Sequence, residues 1–266
     1  MKPTSFLRAS LIGGILFLYL PIVVLIGYSF NASDKVNIWG GFSTKWYGSL
    51  LQDEQLMEAA LNSLIVAVVS ATIATIIGSL AAITLVRFGR FKGRTLLSGM
   101  ISAPLVMPEV ITGISLLLLF VAMDQIIGWP ARRGMSTIVI AHITFASAFV
   151  AVIVQSRLVS LDESLEEAAA DLGSTPFRVF QKVVLPLITP ALAAGWLLAF
   201  TLSLDDLVIA SFTTGPGATT LPILIFSKVR LGVSPDVNAL ATIIVLAVGF
   251  AVAIAGAVMF RTQKRN

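Results

Sequence analysis

The chain has 266 residues, 57% of them hydrophobic and only 12% charged, with a mean hydropathy of +0.95. A soluble domain of this length needs far more polar surface, so the composition describes a membrane protein. The absence of cysteine excludes disulfides and thiolate metal sites. The net charge of +4 calls for no nucleic-acid partner, because its distribution along the chain has a topological explanation.

Six apolar runs reach about the 20 residues needed to cross a bilayer core. Without water to bond them, backbone groups there must bond internally, so the runs are expected to be helices. In chain order they are Leu7–Phe30, Asn62–Val86, Leu96–Val121, Ser136–Ser156, Ile188–Phe212 and Val237–Phe260. The first lacks a small-residue cleavage site and reads as a retained anchor rather than a leader. The expected fold class is an all-α membrane protein, with 1–266 forming one six-helix transmembrane domain.

Lys and Arg set the orientation. Arg87, Arg90, Lys92 and Arg94 fall on one side, with Arg157, Arg178, Lys182 and the basic residues of both ends. Half as many fall on the other side. Both termini are therefore expected in the cytoplasm. Trp39, Trp46, Tyr47 and Trp129 then lie at the outer interface, where amphipathic rings are favoured.

The longest cytoplasmic connection, Arg157–Ile188, reads as two short helices. Ser160 and Glu163 have capping-box spacing. Leu161, Leu165, Ala168 and Leu172 form a narrow apolar stripe. Gly173 suits a left-handed helix end, and Thr175-Pro176 suits a second helix start. Taken alone, these residues fit a solvated connector packed on its own membrane domain. The pattern Glu167-Ala168-Ala169, then Gly173, then Val183, Leu185 and Pro186 resembles the EAA loop of bacterial ABC importer permeases. The resemblance implies the type I importer permease (MetI-like) fold, in the bacterial inner membrane. It also implies that the loop is a coupling helix docking on a separate ATPase, with Glu166, Glu167, Ala168, Ala169, Asp171, Gly173 and Pro186 at that contact. Further implied partners are a second, homologous permease, two ATPase subunits, a periplasmic binding protein and membrane lipid. ATP and Mg belong to the ATPase, and no cofactor and no enzymatic activity are expected of this chain.

Other segments resemble the polyamine branch of these permeases: Tyr28-Ser-Phe-Asn31, Ala103-Pro-Leu-Val-Met-Pro-Glu-Val-Ile-Thr-Gly113, Leu204–Phe212 and Gly215–Pro222. Arg87-Phe-Gly-Arg-Phe91 and Gly195–Phe200 incline the resemblance toward the putrescine type over the spermidine type. The implied function is ATP-driven import of a polyamine, chiefly putrescine. The alternatives are spermidine or another small cation carried by the same machine, or an ion-coupled secondary carrier. No internal repeat or pair of interrupted helices is visible to favour the carrier.

Three acids lie inside expected spans: Glu109, Asp205 and Asp206. Each costs about 2.5–3.5 kcal/mol near a helix centre. Pro104 and Pro108 are expected to kink the third span just before Glu109, roughly 20 Å from its start. Ala191, Gly195 and Ala199 form a small-residue stripe for close packing. Asp206 lies nearer that stripe than Asp205, and the sequence leaves open which faces a substrate route. Carboxylates with Trp196 and Phe200 could hold a dication by charge and cation–π attraction. Equally, the acids could bond partner helices and Trp196 could be packing. His142 reads as a neutral histidine bonded across helices, with a proton relay as the other possibility. Gly215-Pro-Gly-Ala-Thr-Thr220 lacks the Lys-Ser/Thr ending of a phosphate loop. The outer Thr213–Asp236 segment, with Lys228 and Arg230, is expected to help receive a binding protein.

Overall fold

A computed structural model describes residues 5–35, 38–231 and 235–246. Both chain ends and the second half of the sixth expected span lie outside them. The described elements are helical: α1 Ser5–Tyr28, α2 Lys45–Gln52, α3 Glu54–Arg87, α4 Arg94–Val106, α5 Glu109–Ile127, α6 Met135–Val159, α7 Ser164–Asp171 and α8 Pro176–Val179. A π-helical turn, Phe180–Val184, leads into α9 Leu185–Leu204. After it come α10 Val208–Thr213, α11 Leu221–Leu231 and α12 Pro235–Leu246. The chain divides into two compact units, one from the described parts of Met1–Met57 and Leu224–Asn266, the other from Glu58–Ile223.

Among the described residues, two of the six expected spans are interrupted. The third is α4 and α5, separated at Met107 and Pro108, both of extended backbone. Pro108 has no amide hydrogen and disfavours helix at Met107, so the expected kink is a full break. Glu109 therefore starts a helix instead of lying within one. The fifth span ends at Leu204 and resumes as α10.

The core of the larger unit is α3, α6 and α9. Ala191, Gly195 and Ala199 are buried, with Gly195 against Val150 of α6, as the small-residue spacing predicts. α3 approaches α6 more closely still at Gly78. A Cβ on Gly78 would lie 2.6 Å from the Ser147 carbonyl oxygen and 2.9 Å from Val150 Cβ. Thus no larger residue fits without moving backbone.

In the smaller unit Asn31 organises the outer segment after α1. Its Nδ2 donates to the Ile38 carbonyl at 2.8 Å and its Oδ1 accepts from Gly40 N at 2.8 Å. Trp46 Nε1 donates to its carbonyl at 2.8 Å. Lys228 bridges Asp53 at 2.7 Å and Asp236 at 3.1 Å. Two of the Lys228 donors are thus directed within the chain, to Asp53 and Asp236. The hydrogen bond from Lys228 holds the Asp53 carboxyl below its ordinary range against the opposing effect of burial. Burial pulls Lys228 down, but the bonds from Asp53 and Asp236 outweigh it and raise it.

Two outcomes are expected from purified protein in thermal unfolding. Gly78→Ala lowers the midpoint, at a cost of about 1–3 kcal/mol, whereas Gly13→Ala, with nothing within 4 Å, leaves it unchanged. Lys228→Met loses about 1 kcal/mol at pH 7. The wild-type advantage is lost as pH falls below 3.8, through the depressed Asp53 value, and as it rises past 10.5, through the raised Lys228 value.

Candidate functional site

The connection between α6 and α9 is built as the sequence suggests, with two differences at its caps. Gly173 takes φ +80°, and its amide donates to Ala170 O at 2.8 Å, closing α7. Pro176 opens α8 after an extended Thr175. The Thr175 side chain makes no capping bond, and the Ser160–Glu163 box does not form. α6 runs on to Val159, so Ser160 ends that helix, its hydroxyl donating to Arg157 O at 2.7 Å. Asp162 Oδ1 takes the free Ser164 amide instead, at 2.9 Å. That backbone bond holds the Asp162 carboxyl below the usual range.

The two faces of α7 differ. Inward, Arg87 at the end of α3 reaches Glu163 Oε1 through Nη1 and Glu166 Oε1 through Nη2, each at 2.7 Å. Glu166 is thus committed within the chain. Outward, Glu167, Ala168 and Asp171 are exposed, as are Leu165, Leu172 (88%) and Phe177 (72%). The expected apolar stripe is therefore present but does not pack on its own domain. Leu161 alone of the stripe packs against the core. Beneath α7 lies a cavity of about 410 Å³ walled by Ile83, Phe88, Val179 and Phe180, with Arg87 and Glu166 at one side. Pro186, exposed near the start of α9, explains the π-helical turn before it. Its ring would strike the carbonyl of Lys182 in a regular helix, and a widened turn relieves this.

At the break after α9, Asp206 accepts from Ile209 N at 3.3 Å and Ala210 N at 2.7 Å. It also meets His142 Nε2 at 3.1 Å, while His142 Nδ1 meets Ser203 Oγ at 2.6 Å. The side chains of His142 and Asp206 are 2% and 7% exposed. Asp206 interrupts the span because its carboxylate takes the amides that would otherwise bond back along the helix. Asp205 and Glu109 are exposed on the chain. Trp196 and Phe200 stack 5.3 Å apart, and Trp196 Nε1 donates to Thr72 Oγ1 at 3.1 Å. Their rings remain half-exposed. α10 packs on α5, where Gly113 admits the Phe212 ring at a distance no Cβ allows.

The structure thus turns the expected kink before Glu109 into a full break and adds a second interruption, after α9, that the sequence reading does not find. It also assigns work to Arg87 and Ser203, which that reading passes over. Ser203 lies three residues before Asp206, a spacing that brings both to one helical face. Arg87 and its partners are too distant in sequence to suggest each other.

The family described as binding-protein-dependent transport system inner membrane component matches residues 74–265. This chain belongs to that family. Among its curated relatives are the putrescine transport system permease protein PotI of Escherichia coli strain K12, 59% identical over 95% of this chain and 90% of its own length. The spermidine/putrescine transport system permease protein PotC of the same strain is 47% identical over 86% of this chain and 84% of its length. In fold, the chain resembles a bacterial ABC transporter involved in import of the acidic polysaccharide alginate. The TM-score is 0.73 at 19% identity, covering 96% of this chain and 94% of the other. A methionine transporter, MetNI, gives 0.62 at 19% identity, covering 78% and 95%. The fold is that of type I ABC importer permeases, and this member of the inner-membrane family is a transporter permease subunit.

Asp206→Ala is expected to destabilise the solubilised protein by about 3 kcal/mol, since it orphans two amides and His142. Asp205→Ala should leave the thermal midpoint within a degree or two of wild type.

Proposed function

We propose that this chain is the membrane-spanning subunit through which an ATP-driven importer moves putrescine from the periplasm into the cytoplasm. ATP hydrolysis belongs to a separate ATPase, of which two copies grip the coupling loops of this chain and of a second, homologous permease. ATP and Mg are that subunit's ligands. A periplasmic polyamine-binding protein delivers the solute. Closure of the ATPase pair draws the coupling helices together and opens the bundle outward, and hydrolysis resets it.

The observation that carries the reading is the two-sided α7, pinned inward by its acids and apolar outward. Leu165, Ala168, Leu172 and Phe177 are exposed on a cytoplasmic segment with no lipid to cover them, and Glu167 stands among them. Such a surface suits a partner groove with a basic rim. The likeness to a putrescine permease over most of the chain supports the choice of cargo.

For the route itself, Glu109 and Asp205 are the acids left exposed by the fold. They can compensate the two ammonium groups of the diamine, and the Trp196–Phe200 stack offers a ring face for cation–π attraction. Asp206 acts on the route by fixing the break beside Asp205.

In membranes carrying the complete transporter, Glu167→Lys should lose the ATPase on co-purification while the permease pair still assembles. Glu109→Gln with Asp205→Asn should lower putrescine uptake at least tenfold with the ATPase still bound. Uptake by this chain with no ATPase present would overturn the proposal.

A further inference from the structure

We infer that Arg87 is a positioning residue that makes α3 a connecting rod between the cytoplasmic helix α7 and the outer segment Gly217–Leu221. The inference rests on the coupling role proposed above for α7. At the cytoplasmic end, the Arg87 side chain is 17% exposed and divides its two terminal nitrogens between Glu163 and Glu166. The Glu163 carboxylate is 70% exposed and contributes little. Glu166 is 26% exposed and is held as a less solvated ion pair at 2.7 Å, while the hydrogen bond of the pair is the one to Glu163 at 2.7 Å. Arg87 Nη2 also lies 3.5 Å from Leu158 O, which places the guanidinium over the last turn of α6. Two terminal nitrogens facing two acids at the start of α7 restrain its angle as well as its distance.

Toward its other end, α3 is bonded to the outer segment through two polar side chains. Asn62 Nδ2 donates to Gly217 O at 3.3 Å and Thr219 O at 3.2 Å, and Ser63 Oγ accepts from Leu221 N at 2.7 Å. Both residues are buried. Between Asn62 and Arg87 the helix is unbroken over about 37 Å, whereas the third and fifth spans are both interrupted. α3, unbroken like α6, is therefore a stiff path in this unit, and the one whose side chains bond 217–221 directly.

The test uses the assembled transporter in vesicles: this chain, its partner permease, the ATPase and the binding protein. The first reading is putrescine taken up per ATP hydrolysed. Arg87→Gln should lower that ratio at least tenfold with the ATPase still co-purifying, and Arg87→Lys, charged but unforked, about threefold. The second reading is a spin label on Thr219→Cys, in a chain that has no cysteine of its own. ATP should shift the label's mobility in the otherwise wild-type chain and leave it unmoved with Arg87→Gln. An unchanged transport ratio, or a Thr219 label that responds equally with and without Arg87, overturns the inference. Should Arg87→Gln fail to accumulate, Glu163→Gln with Glu166→Gln breaks the fork from the acid side, and the same ratio decides. Loss of the ATPase from the wild-type preparation would instead refute the coupling role of α7 itself.

Discussion

A backbone amide or carbonyl with no partner costs several kcal/mol in hydrocarbon, and that cost shapes this protein wherever a helix stops short. At the break between α9 and α10 the partner is Asp206, whose carboxylate takes two amides and a ring nitrogen of His142. Ser203 completes the group on the other ring nitrogen. An acid that looks like a liability inside an apolar span is what allows the span to bend. The break before α5 is managed differently: Pro108 has no donor to satisfy, and its carbonyl receives Ile111 N and Thr112 N at 3.0 and 3.1 Å. One interruption is thus capped by a side-chain carboxyl group and the other by the missing hydrogen of an imino acid.

Around these bends the rest of the unit is kept stiff by small residues. Gly78 and Gly195 bring α3 and α9 against the same residue of α6, Val150. Packing at that distance leaves few alternative registers. The interruptions of helix, at the two breaks and at the turn before α9, lie outside that close-packed seam.

Much of this was legible in the residue pattern. The membrane class, the helical core, the Ala191-Gly195-Ala199 face and the two-helix loop ending at Gly173 follow from composition and local spacing. Pro108 signals a kink, but spacing alone does not say whether a proline bends a helix or ends it. Asp206 was less legible still. An aspartate serving as an N-cap and one in mid-helix have the same neighbours in sequence, and the difference lies in His142, on another helix. The apolar stripe on α7 is visible in the spacing of Leu165, Ala168 and Leu172. Whether it turns inward is decided by Arg87, which draws Glu163 and Glu166 toward the membrane domain. Long-range ion pairs of this kind leave no local periodicity to detect.

The wide turn at Phe180–Val184 has a consequence of its own. A helix turns about 100° per residue, so one extra residue accommodated there sets the azimuth of everything before it relative to α9. Through that turn the loop's outward residues, Phe177 among them, are clocked independently of the Ala191-Gly195-Ala199 seam. Related chains can thus re-aim the surface they offer in the cytoplasm by adding or removing a single residue, leaving the seam inside the membrane as it was.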